Sequence, residues 1–430
     1  MNALPRYLSS DLSYFFHWDP TMQVRKAAIE CLKQVLHNEQ KADVVMQRAA
    51  AHLELRDRKL LHECVYGVLR RSFSLEADFS RFIKTKPDDF TYAALAVGTY
   101  QLRHMRVPVH AAVSETVSAI KHLSPKAAPF VNAVLRKVSV NQVPKKLKPN
   151  QRAELPKWIY AQWRDAFGAD EVQLLGAALK TPPKLSLALF VDRDAWIAEV
   201  QASGIDVETG ALSPFAVLLP SGTDVTALPG FDAGAFTVMD QAAQAAVMAL
   251  KLPADFDGLM LDVCAAPGGK TALLAHRFPK ARIVAVELSE KRIPRLQENL
   301  KRLHCEHVEI LQGDAMELSF EDNSVDAIFL DAACSASGIL RRHPDAKYLQ
   351  NQEAVNRLSQ IQGAMMNESL RVLKVDSSMI YAVCSIHAQE NEEVFDGLKH
   401  TLTITDQTRL LPSMDHDGFF HACVTKCASQ

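Results

Sequence analysis

Apolar positions along the chain change their period more than once. From residue 21 to about 138 they recur at helical spacing. In TMQVRKAAIECLKQVLHN, the residues Val24, Ala27, Ala28, Cys31, Leu32, Val35 and Leu36 fall on one stripe, with Thr21 placed to cap its start. RDRKLLHECVYGVLRRSFSLEADFSRFI, FTYAALAVGTYQLRHM, VHAAVSETVSAIKHL and PFVNAVLRKV continue the helical pattern. No alternating run interrupts them, so residues 1–138 predict an all-helical domain. Residues 139–152 lose the period and contain two prolines, which marks a linker. Residues 153–256 mix strand-like PKLSLALFV and PFAVLLPSG with helix-like DRDAWIAEVQASG, and GAFTVMDQAAQAAVMAL reads as a strand turning into a helix. They predict a small α/β connecting module.

From residue 257 to 430 the period alternates regularly. The apolar runs GLMLDVCA, ARIVAVEL, HVEILQG, VDAIFLDA and SSMIYAVCS are separated by KTALLAHRF, SEKRIPRLQENLKRLH and a long helical stretch near 351–373. Strands without internal alternation, divided by helices, predict a parallel sheet covered on both faces, an α/β Rossmann-like domain. In such sheets ligands bind beyond the carboxyl ends of the strands. There are no internal repeats and no low-complexity tracts.

Composition adds little: 48% hydrophobic and 23% charged residues are ordinary for a globular chain. No apolar run approaches the roughly 20 residues of a membrane helix. The N-terminus lacks the features of a secretory signal, so a cytoplasmic location without membrane contact is expected. The eight cysteines form no CxxC pair, so no metal is expected. Cys31, Cys64 and Cys305 read as small buried hydrophobes. Charge changes the picture more. The net charge is −2, yet residues 1–152 hold 24 Lys and Arg against 13 Asp and Glu, and the remainder holds 24 against 37. A basic N-terminal part points to a polyanionic partner, most simply nucleic acid, and secondarily to docking on the acidic remainder. From Asn132 to Arg152 there are six basic residues and no acidic one. That stretch suits a solvated tether and a phosphate-contacting arm about equally.

Chemistry collects at the strand ends. In LDVCAAPGGKTALLA, Gly268 and Gly269 allow close approach of the backbone to a ligand, and the helix start that follows offers unpaired N–H groups. The pattern is neither GxGxxG nor a P-loop. The second strand ends at Glu287, 25 residues after Asp262, a position suited to ribose hydroxyls. The third ends near Asp314, where an acid can accept from an adenine amino group. Each acid alone is more simply a turn or capping residue; together with the loop they suggest an adenosine ligand. S-adenosylmethionine fits better than NAD, on fold-level analogy. Asp331 ends the fourth strand, Cys334 follows it, and Cys384 ends the fifth. Two thiols and an acid beside a methyl donor match one demand. Cytosine C5 becomes nucleophilic when a thiolate adds at C6, and an acid at N3 stabilises the developing charge. One cysteine would make the adduct and the other assist its breakdown; spacing does not choose between them.

CAAPGGK, DAACSASGILRRHPD and YAVCSIHAQENEEV resemble the signature motifs of the Sun-type RNA cytosine-C5 methyltransferases. RKAAIECLKQVL, LLHECVYGVLRR and FVNAVLRK resemble the NusB-type helical RNA-binding domain. The combination resembles the members that act on bacterial 16S ribosomal RNA, over nearly the whole chain. The resemblance implies that Cys264, Ala265, Ala266, Pro267, Gly268, Gly269 and Lys270 hold the methionine part of S-adenosylmethionine. Glu287 takes the ribose, Asp314 the adenine edge, and Asp331 meets both cofactor and target cytosine. Cys384 is then the nucleophile and Cys334 promotes product release. The partner is small-subunit ribosomal RNA, and nothing requires more than a monomer. Ala333 stands where the family usually has proline, which should loosen the placement of Cys334. Glu287 stands where aspartate is common, a tolerable change. Arg341 and Arg342, with His343, are expected at phosphates beside the target base. His343 and His387 are more simply structural than general bases. Two other classes compete. One is an RNA-binding assembly factor with weakened methyl transfer. The other is a DNA cytosine methyltransferase, disfavoured by the missing Pro-Cys dipeptide and the RNA-type helical domain.

Overall fold

The computed structural model describes residues 24–51, 53–398 and 400–428. Thr21, expected as a helix cap, lies outside the described residues. The chain forms two compact units that divide between Lys145 and Lys146.

The first unit is helical among its described residues: α1 (Val24–His37), α2 (Ala42–Ala50), α3 (Leu55–Ser80), α4 (Asp89–His104), α5 (Val109–Leu123) and α6 (Ala128–Val140). Val24, Ala27, Ala28, Cys31, Leu32 and Val35 of α1 are buried, as their spacing requires. Asp88 starts α4 by accepting a hydrogen bond from the Thr91 N–H at 3.0 Å. α4 is buried on every side from Ala93 to Gln101, which makes it the central helix of this unit. Its one long polar side chain there, Gln101, is satisfied by Thr116 Oγ1 at 3.0 Å and by Arg25 Nε at 3.1 Å.

The stretch expected as a linker is shorter than 139–152. α6 continues through Val140, and α7 (Pro149–Arg152) is a short helix of the second unit. Gln173 Nε2 and Lys180 Nζ hold α7 by donating to the carbonyls of Pro149 and Arg152 at 3.1 Å each.

The second unit continues with α8 (Lys157–Phe167), α9 (Ala169–Leu179), β1 (Leu185–Leu189), α10 (Arg193–Ala202), β2 (Glu208–Thr209), β3 (Ala216–Leu219), β4 (Phe236–Val238) and α11 (Gln241–Ala249). β1–β4 form an antiparallel sheet in the order β2-β3-β1-β4. Then come β5 (Leu259–Val263), α12 (Gly269–Arg277), β6 (Arg282–Glu287), α13 (Ile293–Arg302), β7 (Glu309–Gln312), β8 (Val325–Asp331), α14 (Ala346–Leu349), α15 (Gln352–Val372), β9 (Leu373–Val383), β10 (Leu402–Leu410) and β11 (Phe419–Lys426). Their seven-stranded sheet has the order β10-β11-β9-β8-β5-β6-β7.

Alternate residues of the central strands face two separate cores. Met260, Phe329, Ile380 and Ala382 pack with Leu273 and Leu296 of α12 and α13. Leu261, Val263, Ile328, Leu330, Met379 and Tyr381 pack with Met365, Met366 and Leu370 of α15. Both faces are covered, which is why these strands read as unbroken apolar runs. The five parallel strands are those the apolar runs predict. The antiparallel pair is not: β11 inserts between β9 and β10 and runs against both. The strand order reverses at β5, whose neighbours are β6 and β8, and a crevice opens at that switch point. Among the described residues no helix is long and apolar enough to cross a membrane.

Candidate active site

The loop after β5 is shaped by its glycines. Gly268 has φ of +98°, and a Cβ there would stand 2.7 Å from Leu296 Cδ1. Only glycine fits both demands. The loop turns directly into α12, so its backbone lies against the crevice. Asp262, at the end of β5, is fully buried and receives the Thr271 hydroxyl. Burial is the main reason its carboxyl is pushed up to about 7. Glu287 ends β6, 3% exposed. It accepts from the N–H groups of Ala266 at 3.2 Å and Ser289 at 2.9 Å, and Arg292 pairs with it at 3.2 Å. This carboxylate therefore ties the loop after β5 to the one after β6. Asp314, just beyond β7, uses one oxygen to accept from the Met316 N–H at 2.9 Å.

The loops after β8 and β9 bring the thiols together. Cys334 Sγ and Cys384 Sγ lie 3.2 Å apart. Beneath them the backbones cross closely. Gly338 N–H donates to the Cys384 carbonyl at 3.0 Å, and a Cβ on Gly338 would meet the Gly418 carbonyl oxygen at 2.1 Å. The hydrogen bond to Cys384, then burial, then the charge of Glu390 push the Cys334 thiol well above its usual range. Lys270, from α12, donates to Asp331 Oδ2 at 2.6 Å. Burial opposes its charge, but Asp331 outweighs burial and Cys384 adds in the same direction, so the ammonium is held charged. A cation is thus paired with the acid and lies within Coulomb reach of one of the two thiols. Burial, reinforced by Asp331 and Glu287, pushes the Cys264 thiol up to about 12, which leaves it a poor nucleophile.

A cleft of about 400 Å3 joins these parts. Cys264, Ala266, Glu287, Asp314, Asp331, Cys334 and Cys384 all line it. Ala265, Pro267, Gly269 and Lys270 line a smaller cavity that shares Cys264, Ala266 and Asp331 with the first. Gly268 lines neither and acts through the turn it permits.

Arg341 and Arg342 correct the sequence expectation. Arg341 is 1% exposed. Its guanidinium donates to the carbonyls of Ser413, Met414, Thr181 and Pro182. Arg342 pairs with Asp240 at 2.8 Å and with Asp417. Arg341 is an internal clamp with its guanidinium spent on carbonyls, and Arg342 is a partly exposed clamp whose charge is already met by two carboxylates, so neither stands as a free phosphate contact. The loosening expected from Ala333 is also countered. Gln362 Nε2 donates to the Ala333 carbonyl at 2.8 Å, which fixes the loop from the side of α15. His387 is buried, stacked on Trp158 at 5.8 Å, in keeping with a structural role. Cys31, Cys64 and Cys305 are buried, as expected of small hydrophobes.

Sequence reasoning missed Arg292, Gln362, Ser335, Ser385 and Glu390. The last three sit one to six residues from a cysteine, in DAACSASG and YAVCSIHAQEN. Nothing local in the sequence marks Glu390, because its partner Ser335 is 55 residues away.

Comparison with known proteins agrees with this layout. Residues 247–425 match the family model 16S rRNA methyltransferase RsmB/F, residues 22–140 match the NusB family, and residues 155–226 match the RsmF/B-like ferredoxin-like domain. Ribosomal RNA small subunit methyltransferase B of Photorhabdus laumondii is 35% identical, covering 94% of this chain and 99% of the relative. The protein of the same name from Vibrio vulnificus is 34% identical over 95% of this chain and all of the relative, at 100%. The solved structure of PH0851 shares the fold with a TM-score of 0.78 at 19% identity, covering 94% of this chain and 99% of that one. With an N-terminal NusB domain, a ferredoxin-like module and a methyltransferase domain in one chain, this protein belongs to the 16S rRNA methyltransferase RsmB/F family.

Proposed function

We propose that the protein methylates C5 of a cytosine in bacterial 16S ribosomal RNA, through a covalent adduct between Cys384 and cytosine C6, with S-adenosylmethionine as donor. The observation that carries this reading is the pair of thiols 3.2 Å apart that face one cleft together with Asp331, which Lys270 holds from the adjoining cavity. The names of the relatives supply the RNA. Such work would take place in the cytoplasm.

The other half of the cleft fits the donor. Its volume suits a ligand of nucleoside size. A carboxylate has about four acceptor positions, so Glu287 keeps capacity for ribose hydroxyls beyond its three partners. The second oxygen of Asp314 is free of the Met316 N–H and can receive an amino group. Asp262 Oδ1 is buried at the smaller cavity and has no hydrogen-bond partner among the described residues, a ready acceptor for an ammonium. When bound, S-adenosylmethionine supplies an electrophilic methyl group.

Cys384 adds as thiolate to C6, and the electron pair of the C5–C6 bond moves toward N3 and C5. The Lys270 ammonium holds Asp331 in place and lies within Coulomb reach of Cys384. N3 takes up the proton that the Cys384 thiol gives up, and the Asp331 carboxylate accepts a hydrogen bond from that N3–H, which stabilises the protonated ring. C5 takes the methyl group, leaving S-adenosylhomocysteine. Water then accepts the C5 proton, whose bonding pair restores the C5–C6 double bond and expels Cys384, and N3 returns its proton to the departing thiolate. Cys334, which resists ionisation, remains a thiol and donates its hydrogen bond to the departing sulfur. The target base must leave its stack to reach this depth, so loosely structured RNA is the better substrate.

The test is incubation of the purified protein with S-adenosylmethionine and unmodified small-subunit RNA, then digestion and mass spectrometry for 5-methylcytidine. Production by wild type and none by Cys384→Ala is the expected result. RNA binding without 5-methylcytidine from wild type would favour the assembly-factor reading instead.

A further inference from the structure

Cys334 and Cys384 sit on different loops, 50 residues apart in the chain, yet their sulfurs are in contact. Backbone pairing of β8 with β9 ends at Asp331 and Ala382, short of both cysteines. Beyond it the two loops share one backbone bond among the described residues, from the Gly338 N–H to the Cys384 carbonyl, and side chains join them next to the thiols themselves. One carboxylate touches both loops. Glu390 is 0% exposed. It accepts from the Ser335 N–H at 2.7 Å and the Ser335 hydroxyl at 2.5 Å, next to Cys334. It accepts from the Ser385 hydroxyl at 2.5 Å, next to Cys384. Gln362 Nε2 reaches it at 3.2 Å while also holding the Ala333 carbonyl. Its own main chain is anchored by the Tyr381 hydroxyl, which donates to the Glu390 carbonyl at 2.7 Å. Among the described residues no lysine or arginine forms an ion pair with it. A buried carboxylate without a counter-ion persists only where several donors replace its hydration, and here those donors come from both reactive loops and α15.

Resting on the two-cysteine reading above, we infer that Glu390 is a positioning residue that sets the spacing of the two reactive thiols. It lines no cavity of the cleft and touches no reacting atom; it acts through Ser335 and Ser385. Serine at these two places is what the carboxylate requires, since each offers a hydroxyl one residue from a thiol. Ser337 extends the same network by contacting the Ser385 hydroxyl at 2.9 Å and accepting from the Ile386 N–H at 3.0 Å.

Thiol spacing has a readout that needs neither RNA nor methyl donor. Oxidised dithiothreitol is attacked by one cysteine thiolate, giving a mixed disulfide and a free dithiothreitol thiolate. The second cysteine then attacks the protein sulfur, forms the Cys334–Cys384 disulfide and releases reduced dithiothreitol. The full-length protein is treated this way, and the rate is followed by peptide mass spectrometry. Wild type is expected to form the disulfide readily. Glu390→Ala should slow it roughly tenfold or more, while Glu390→Gln, which keeps most hydrogen bonds, should stay nearer wild type. The double variant Ser335→Ala with Ser385→Ala, which keeps the acid but cuts both links, should slow it too, and it serves if Glu390→Ala does not fold. Melting curves identify the folded variants. Equal rates in a folded Glu390→Ala protein and in the serine double variant would overturn the inference, as would failure of wild type to form the disulfide. Slowed disulfide formation without any 5-methylcytidine from wild type would leave the positioning role standing while removing the proposed reaction.

Discussion

The two halves of the cleft are built differently. The half under β5, β6 and β7 is made by local chain geometry: a glycine turn, a helix start and acids at successive strand ends. Its polar contacts join neighbours along the sheet, and Asp314 keeps acceptor capacity. The half under β8 and β9 is made by side chains that meet across long sequence distances. Its central carboxylate, Glu390, is consumed by donors from three elements. An open binding half tolerates ligand exchange. In the proposed reaction the other half, the reacting one, holds its groups at fixed spacing before any substrate arrives, the arrangement that lowers reorganisation during a reaction.

The contrast can be broken most severely in the reacting half. Cys384→Ala should lower 5-methylcytidine formation by roughly three orders of magnitude or more, measured by mass spectrometry of digested RNA. Cys334→Ala should keep the first step and accumulate a covalent RNA–protein adduct, visible as a band that survives denaturing electrophoresis. Asp331→Asn comes next. It leaves Lys270 without its 2.6 Å partner, and we expect a loss in kcat of roughly 10²-fold, with KM for S-adenosylmethionine changed less. Glu287→Gln, in the binding half, should behave oppositely. We expect KM for S-adenosylmethionine to rise roughly tenfold with kcat nearly kept, the signature of lost uniform binding. Equal kcat and KM effects in both variants would erase the distinction between the halves.

The smallest effect at neutral pH concerns His387, in the loop between Cys384 and Glu390. Burial, with help from Arg409, lowers its pKa from 6.5 to about 4. The fold therefore favours the neutral ring. The stability this provides is fully present above pH 6.5 and is lost as pH falls toward 4, up to about 3 kcal/mol. Melting temperatures of wild type should fall across that window more steeply than those of His387→Gln.

The same contrast explains what the sequence disclosed. The five parallel strands carry unbroken apolar runs because both faces are covered, and that pattern is local. Cys264 to Lys270, Glu287, Asp314 and Asp331 follow from strand ends, so they were legible too. Glu390 was not, because its partner Ser335 is 55 residues away and a glutamate among polar and acidic neighbours looks solvated. β11 was hidden for a related reason: PSMDHDGFFHACVTK shows one short apolar run, and its pairing with β9 depends on a partner far back in the chain. Arg341 and Arg342 misled in the opposite direction. A basic pair beside a catalytic loop resembles a phosphate contact until its carbonyl and carboxylate partners are known.

Those two arginines constrain how the chain can be cut. Their partners lie at Thr181, Pro182, Lys184 and Asp240 on one side, and at Ser413, Met414 and Asp417 on the other. A fragment starting at residue 247, where the methyltransferase match begins, would discard the first set. Of the acceptors named, Arg341 would then keep two of four and Arg342 one of three, losing its pair with Asp240. The smallest excisable catalytic body therefore begins before Thr181, and any exchange of modules between relatives must carry Asp240 together with Arg342.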